Sequence, residues 1–536
     1  MRRSTALVCA IGTAIVAPLA TLSANPVAAR TDAARSAVTA PSALTATAAS
    51  RSTVSLGWTN SGPAATKIVV ERRVLGAPWP IATTAAAAAP AQATAMAIAT
   101  VDGASYTDAT IDPYTTYVYR LRGLSANVLS APSNEITVGP PPVGFSQVLA
   151  APKAMHTHDP SQFANLMRMT FDANGDPAVA YLTYDLNNDG ERPDTDLSVI
   201  TWNRARYRWN APVSVDTIGN VSGGGTHIPF AIARDESTGK YALLYVMGEH
   251  ELRIATSDNA GQTWTHVSVQ RSGPDDPGFS IPSLVMAGGR VYAAYGQGSN
   301  SVRFRTGLLT DAPAKWAEKI APKVGNSGEP RSDCVSVILD AAGKPAVSYC
   351  LEPTSAYNLI VALWRPESGA TVKITDSNNH QNDDPGLQIA SVGNEMAAAF
   401  YGSRDDAFFA NHHIWFSRSR DNGVSWSSPV AIADDGGNAM GAPVSVMIDR
   451  AGHFAISAPV VGGNEGSVVC GQPKLARSSD GTKWTTCAPD TKGVGAVADP
   501  GVPTGAFAGN DKLYMAFKTR AAVGAVLPGI VLWRER

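Results

Sequence analysis

Charge is scarce in this chain and balanced in sign. Only 16% of its 536 residues are Asp, Glu, Lys or Arg, and the formal net charge is −2. There is no basic excess to neutralise phosphates, so nucleic acid is excluded as the expected partner. Long apolar runs are missing beyond the N-terminus, where a membrane span would need about 20 such residues. Cysteine is rare, at five residues, and shows none of the close spacing of a zinc site. What is there, a hydrophobic content of 44%, is ordinary for a globular protein with a real core.

The N-terminus reads as an export signal over residues 1–29. Arg2 and Arg3 precede an uncharged apolar stretch that lasts until Arg30, and small residues stand at Val27-Ala28-Ala29. The residues after the arginine pair match a twin-arginine motif poorly, so the general secretory route is expected. The mature chain should be a secreted, soluble monomer. Cys9 leaves with the signal, and the remaining four cysteines suit an oxidising compartment. Cys334 and Cys350 flank a hairpin centred on Asp340-Ala-Ala-Gly343, and Cys470 and Cys487 flank a second turn, which predicts two local disulfides.

Residues 41–139 alternate like short half-buried strands at Val54–Trp58, Lys67–Arg72 and Tyr114–Arg122. With Trp58, the run Tyr117-Val-Tyr119-Arg-Leu121 and Ser130-Ala-Pro132-Ser-Asn134, this unit resembles a fibronectin type III domain. An Ala-rich segment, 85–99, reads as a low-complexity loop. Pro140–Pro142 reads as a semi-rigid spacer. From 143 to 536, hairpins of the form apolar run, Gly turn, apolar run recur with a period of about 55 residues. Seven can be counted, beginning at Leu166, Phe230, Ser283, Val335, Leu387, Val444 and Ala506. That period predicts an all-β propeller, seven-bladed with six as the alternative, in which Phe145–Leu149 completes the last blade.

Three turns carry a second signature: Ser257-Asp-Asn259-Ala-Gly261-Gln-Thr263-Trp264, Ser419-Arg-Asp421-Asn-Gly423-Val-Ser425-Trp426, and the shorter Ser478-Ser-Asp480-Gly481-Thr482-Lys-Trp484. They fit the Asp box, and with the repeat they make this half resemble the sialidase-like, Asp-box (BNR-repeat) propellers. In such a blade, Asp boxes occupy the turns between the third and fourth strands. Their polar side chains are expected to serve the turn itself, and the Trp to pack between blades.

Chemistry is then expected on the opposite face. His156, His158, His227, His250, His380, His412 and His413 fall in or beside its loops. So do the acid-Pro pairs Asp159-Pro160, Asp276-Pro277, Glu329-Pro330, Asp384-Pro385 and Asp499-Pro500. Singly, such a pair caps a turn; converging on one axis, the carboxylates make a negative mouth that can hold a cation or move a proton. The catalytic candidates are Asp159, His158, His227, Asp276, Asp333, Asp384 and His380, with Arg331, Arg404 and His412 as substrate contacts. Separately, the loop from Asp185 to Asp196 places oxygen ligands at Asp185, Asn187, Asp189 and Asp196, with Glu191 beside them and Gly190 at the sharp turn, which suits Ca²⁺.

The Arg-Ile-Pro motif of true sialidases is absent. Both Ile-Pro dipeptides follow other residues, His227 and Ser280. The expected function is degradation of an extracellular glycan or polysaccharide, by hydrolysis or elimination. A lectin-like propeller without turnover and an adhesion module are the alternatives. Strongly unequal loops on the candidate face favour one asymmetric site over repeated lectin pockets.

Overall fold

The computed structural model describes residues 38–60, 67–79, 95–150, 167–184, 195–218, 229–248, 250–273, 278–298, 300–324, 328–352, 360–375, 387–403, 412–432, 438–440, 444–462, 471–487, 504–508, 511–519 and 529–535. The proposed signal, the candidate calcium loop from residue 185 to 194, Cys470 and most of the acid-Pro pairs lie outside them.

The described chain is all-β apart from one short 3₁₀ turn. Residues 42–138 form two antiparallel sheets. Ser42–Ala49, Val54–Thr59 and Ser105–Asp108 make one. Ala95–Val101, Lys67–Val74, Tyr117–Ser125, Val128–Leu129 and Ile136–Val138 make the other. The inward residues of their period-2 patterns, Leu56, Trp58, Val70, Tyr119 and Leu121 among them, meet in one core. Residues 95–99 are therefore strand, not the loop expected for the Ala-rich segment. They pair with Lys67–Val74, whose other edge is already taken by Tyr117–Ser125.

Beyond residue 143, seven antiparallel sheets follow one another among the described residues. Their first strands are Met167–Phe171 (sheet I), Phe230–Arg234 (II), Phe279–Ala287 (III), Glu329–Leu339 (IV), Gln388–Val392 (V), Ser445–Ile448 (VI) and Thr504–Phe507 (VII). Each touches the first strand of the next sheet, and that of sheet VII touches that of sheet I. The first strands thus surround an axis, in a β-propeller arrangement. Gly144–Ala150 pairs with Gly529–Arg534 as the outer strand of sheet VII, so the first and last segments close the ring together.

The second strands explain why the sheets stack face to face. Ala178–Leu182, Tyr241–Val246 and Pro345–Leu351 are buried along their whole length, because each face meets a neighbouring sheet. Buried tyrosines recur at one register there and send their hydroxyls to the preceding sheet's exit. Tyr245 donates to Asp216 at 2.6 Å, Tyr295 to Gln270 at 2.6 Å and Tyr349 to the Pro322 carbonyl at 2.7 Å. A buried phenol needs a partner, and this one ties sheet to sheet.

Candidate functional site

The turns joining strands 1 to 2 and 3 to 4 of each sheet share one face of the ring, and the Asp boxes lie on it. Ser257, Ser419 and Ser478 accept the backbone N–H of Gly261, Gly423 and Gly481 at 2.9, 2.8 and 2.8 Å. Asn259, Asp421 and Asp480 accept the N–H groups of Thr263, Ser425 and Lys483, each at 2.9 Å. The Ser425 hydroxyl and N–H hold the Asp421 carboxyl at about 2, and the Lys483 and Thr482 N–H groups hold that of Asp480 well below the usual carboxylate range, both ionised. Trp264, Trp426 and Trp484 pack into clusters shared by adjacent sheets. The box side chains thus serve their own turns and the joints between sheets.

Neighbouring turns on this face are also stitched together. Arg365 pairs with Asp340 at 2.6 Å and donates to the Asn422 carbonyl of the next sheet. Arg418 binds both oxygens of Glu395, at 3.0 and 2.9 Å, and lies over the Phe454 ring. The N-terminal sandwich docks here too. Buried Arg204 holds Asp176 through two 2.8 Å bonds and donates to the Pro113 carbonyl at 2.7 Å. Arg534 donates to the carbonyls of Pro141 and Tyr114, and Trp202 to that of Gly139. The Pro-rich segment is thus buried and pinned between the two units.

On the opposite face the inner strands are irregular. In sheet III, Ile281 and Pro282 stand where the ladder skips between Ser280↔Gly296 and Ser283↔Ala294. Ile281 has φ 35°, a left-handed value that a β-branched side chain adopts only under strain. In sheet IV the ladder breaks between Pro330↔Leu351 and Val335↔Tyr349, so Arg331, Ser332, Asp333 and Cys334 bulge out against one partner residue. The two bulges touch: Ser280 donates its hydroxyl to the Ser332 carbonyl at 2.8 Å. Gly296 leaves room for this, since a Cβ there would overlap both groups. The disulfide Cys334–Cys350, with Cα atoms 5.5 Å apart, clamps the base of the second bulge as the sequence predicted. Bulges of this kind re-aim side chains and gather at functional sites.

Of the predicted site residues, Arg331 and Asp333 therefore share one bulge. Arg331 lies 3.9 Å from Glu352. His412 opens a strand of sheet V opposite Ser403, at the same face. Asp159, His158, His227, Asp276, Asp384, His380 and Arg404 lie outside the described residues. So do Asp185, Asn187, Asp189 and Glu191 of the calcium loop. Asp196 sits on a strand, where it accepts the Thr217 hydroxyl at 2.7 Å. No cluster of three His, Cys, Asp or Glu suited to a metal is present among the described residues. Of the acid-Pro pairs, Glu329 opens the first strand of sheet IV, where it is half-buried and salt-bridged to Lys323. His250 hydrogen-bonds to Ser272, and His453, across the ring, to Asp449.

Sequence reasoning missed Ser280, Ile281 and Arg168. Arg168 is the one charge in the first strand of sheet I, Met167-Arg-Met-Thr-Phe171, and burial pushes its guanidinium down to about 10. A charge inside an otherwise apolar inner strand was the available signal.

No family model and no curated protein matches this chain. Solved structures similar to it include the GH93 α-L-arabinofuranosidase of Fusarium graminearum with arabinobiose, at 11% identity and a TM-score of 0.42, covering 73% of this chain and 97% of that one. The polysaccharide lyase Uly1 matches at 13% identity and a TM-score of 0.44, over 73% and 96%. The Hadza microbial sialidase Hz136 matches at 10% identity and 0.37, over 91% and 93%. Similarity at this level assigns the chain neither a family nor an activity. No helix among the described residues is long and apolar enough to cross a membrane.

Proposed function

We propose that this is an exported, carbohydrate-active protein: a fibronectin type III-like domain fixed to a seven-bladed, sialidase-like propeller that degrades an extracellular polysaccharide on the face opposite the Asp boxes. The blade count is supported by the seven sheets and by contact between the first and last inner strands. The fibronectin-like assignment is supported by Tyr117, whose hydroxyl accepts the Asp112 N–H at 2.9 Å in the manner of a tyrosine corner.

One observation carries the choice of face. The touching bulges of sheets III and IV strain that face and put Arg331 and Asp333 in one break of the ladder, whereas the Asp-box face is closed by its own bonds and by the N-terminal domain. In the hydrolytic form, two carboxyls among Asp159, Asp276, Asp333 and Asp384 serve as acid and base or nucleophile. In the lyase form, His158, His227 or His380 takes the C5 proton of a uronate and a Tyr gives a proton to the departing glycosidic oxygen at C4, leaving a C4–C5 double bond. Arg331, Arg404 and His412 hold substrate, and Ca²⁺ sits in the loop from Asp185 to Asp196.

The test is a screen of the full chain against neutral and acidic polysaccharides, following reducing ends and the absorbance of unsaturated uronates, with and without EDTA. Product should form, and Asp333→Asn should lower turnover about a hundredfold. Binding without product from any substrate would favour the lectin alternative. Indifference of activity and melting temperature to EDTA would remove calcium.

A further inference from the structure

The pairing registers place one residue from each inner strand at a single height. It is the residue opposite the second-strand position just before the recurrent Tyr or its equivalent. The pairs are Arg168↔Ala180, Ala231↔Leu244, Ser283↔Ala294, Ser336↔Ser348, Gln388↔Ala399, Ser445↔Ser457 and Thr504↔Ala516. Three serines, a threonine, a glutamine and an arginine thus occupy six of the seven positions. Their neighbours along the same strands are apolar: Met167 and Met169, Val335 and Val337, Leu387 and Ile389.

Ser336, Ser445 and Thr504 are buried and Arg168, Ser283 and Gln388 half-buried; polar side chains so placed cost stability unless they find partners, so the layer requires a purpose. Ser283 uses its hydroxyl to accept the Val337 N–H of the next inner strand at 2.9 Å, which shows that this position faces the adjacent sheet near the axis. The hydroxyl of Ser457, across from Ser445, is fully buried and has no hydrogen-bond partner. Arg168 is the only charge in the layer. Among the described residues it has no ion pair, and it shares with Ala180 the face of sheet I that packs on Phe230 and Ile232 of sheet II, while Ala231 turns toward sheet III. A long cation is thus set against an apolar face with no described counter-charge, in a layer whose other polar members carry hydroxyl or amide groups.

We infer that this layer is an oxyanion-binding girdle beneath the mouth, in which Arg168 pairs with the carboxylate of an acidic sugar while Ser445, Thr504 and Gln388 supply hydrogen bonds. The substrate class it names is a uronate-bearing polysaccharide, and to that extent it rests on the glycan-degrading function proposed above. A guanidinium without a described counter-charge suits a planar carboxylate, which Arg can hold through two parallel N–H bonds.

The experiment measures melting temperature and calorimetric binding of the full chain with glucuronate and galacturonate oligosaccharides, neutral oligosaccharides, and free acetate, at matched ionic strength. Wild type should bind an acidic oligosaccharide in preference to its neutral counterpart. Arg168→Gln should weaken that binding about tenfold or more, with Arg168→Lys recovering part of it. Equal binding by a folded Arg168→Gln protein overturns the girdle. Should Arg168→Gln not fold, the wild type and Arg168→Lys decide: indifference of both to the sugar's charge overturns it equally. If acetate alone stabilises, in an Arg168-dependent way, the anion site stands and the polysaccharide function falls. If neutral glycans are bound and cleaved as well as acidic ones, the function stands and the girdle falls.

Discussion

The two faces of the ring use similar residues to opposite ends. On the Asp-box face, Asp340, Glu395, Asp421 and Asp480 are all engaged by backbone N–H groups or arginines of their own or the adjoining sheet. On the opposite face the ladder of two inner strands is broken, Ile281 is held in a left-handed conformation, and a polar layer surrounds the axis just beneath. A polar group that satisfies its own turn stabilises the fold and leaves nothing to offer a ligand. Polarity combined with irregular backbone is the pattern that marks a site.

The comparison is broken most forcefully at Arg204. Removing it leaves the buried Asp176 carboxylate without its partner, a loss of about 3–5 kcal/mol for a buried pair. Calorimetry of Arg204→Ala should show the N-terminal domain melting apart from the ring, with activity per folded molecule unchanged. Loss of polysaccharide turnover in the folded variant would mean that the faces are not independent. Gly296→Ala is next, at about 3 kcal/mol from overpacking against backbone. It should also abolish turnover, because the Ser280–Ser332 junction cannot form. Cys334→Ser opens a 16-residue loop, and chain entropy puts its loss at about 3 kcal/mol. Its effect on substrate affinity should exceed that of any Asp-box substitution of similar stability cost.

Much of the scaffold was legible because it is built from local patterns that repeat. The Ser-x-Asp-x-Gly turns, the apolar runs ending in Tyr and the hairpin flanked by Cys334 and Cys350 each declare themselves within about 20 residues. The return of Gly144–Ala150 to the last sheet followed from counting strands. What stayed hidden depends on ring closure. Arg168 alternates like a solvent-facing strand residue until the next sheet covers that side. The bulge at Ile281 cannot be seen in an alternating segment, since register is decided by the neighbouring strand. The interdomain clamp joins Trp202 and Arg534 to a proline segment far away in sequence, so that segment read as a spacer.

The gentlest test uses acid. Hydrogen bonds from Ser425 hold the Asp421 carboxyl at about 2, and bonds from Lys483 and Thr482 lower that of Asp480, against 3.8 for a free aspartate. The native state therefore binds protons more weakly than the unfolded chain at these sites. Their contribution is present above pH 4 and is lost as pH falls toward 2. Asp421 is exposed and Asp480 partly so, and the loss should be small and reduced further by salt. In Asp421→Asn the melting temperature should decline less steeply over that interval than in wild type, while the profile near neutrality is displaced only slightly. Parallel declines in the two proteins would show that Asp421 does not tune the turn electrostatically, and would leave the box's stabilising role to Ser419 and Trp426.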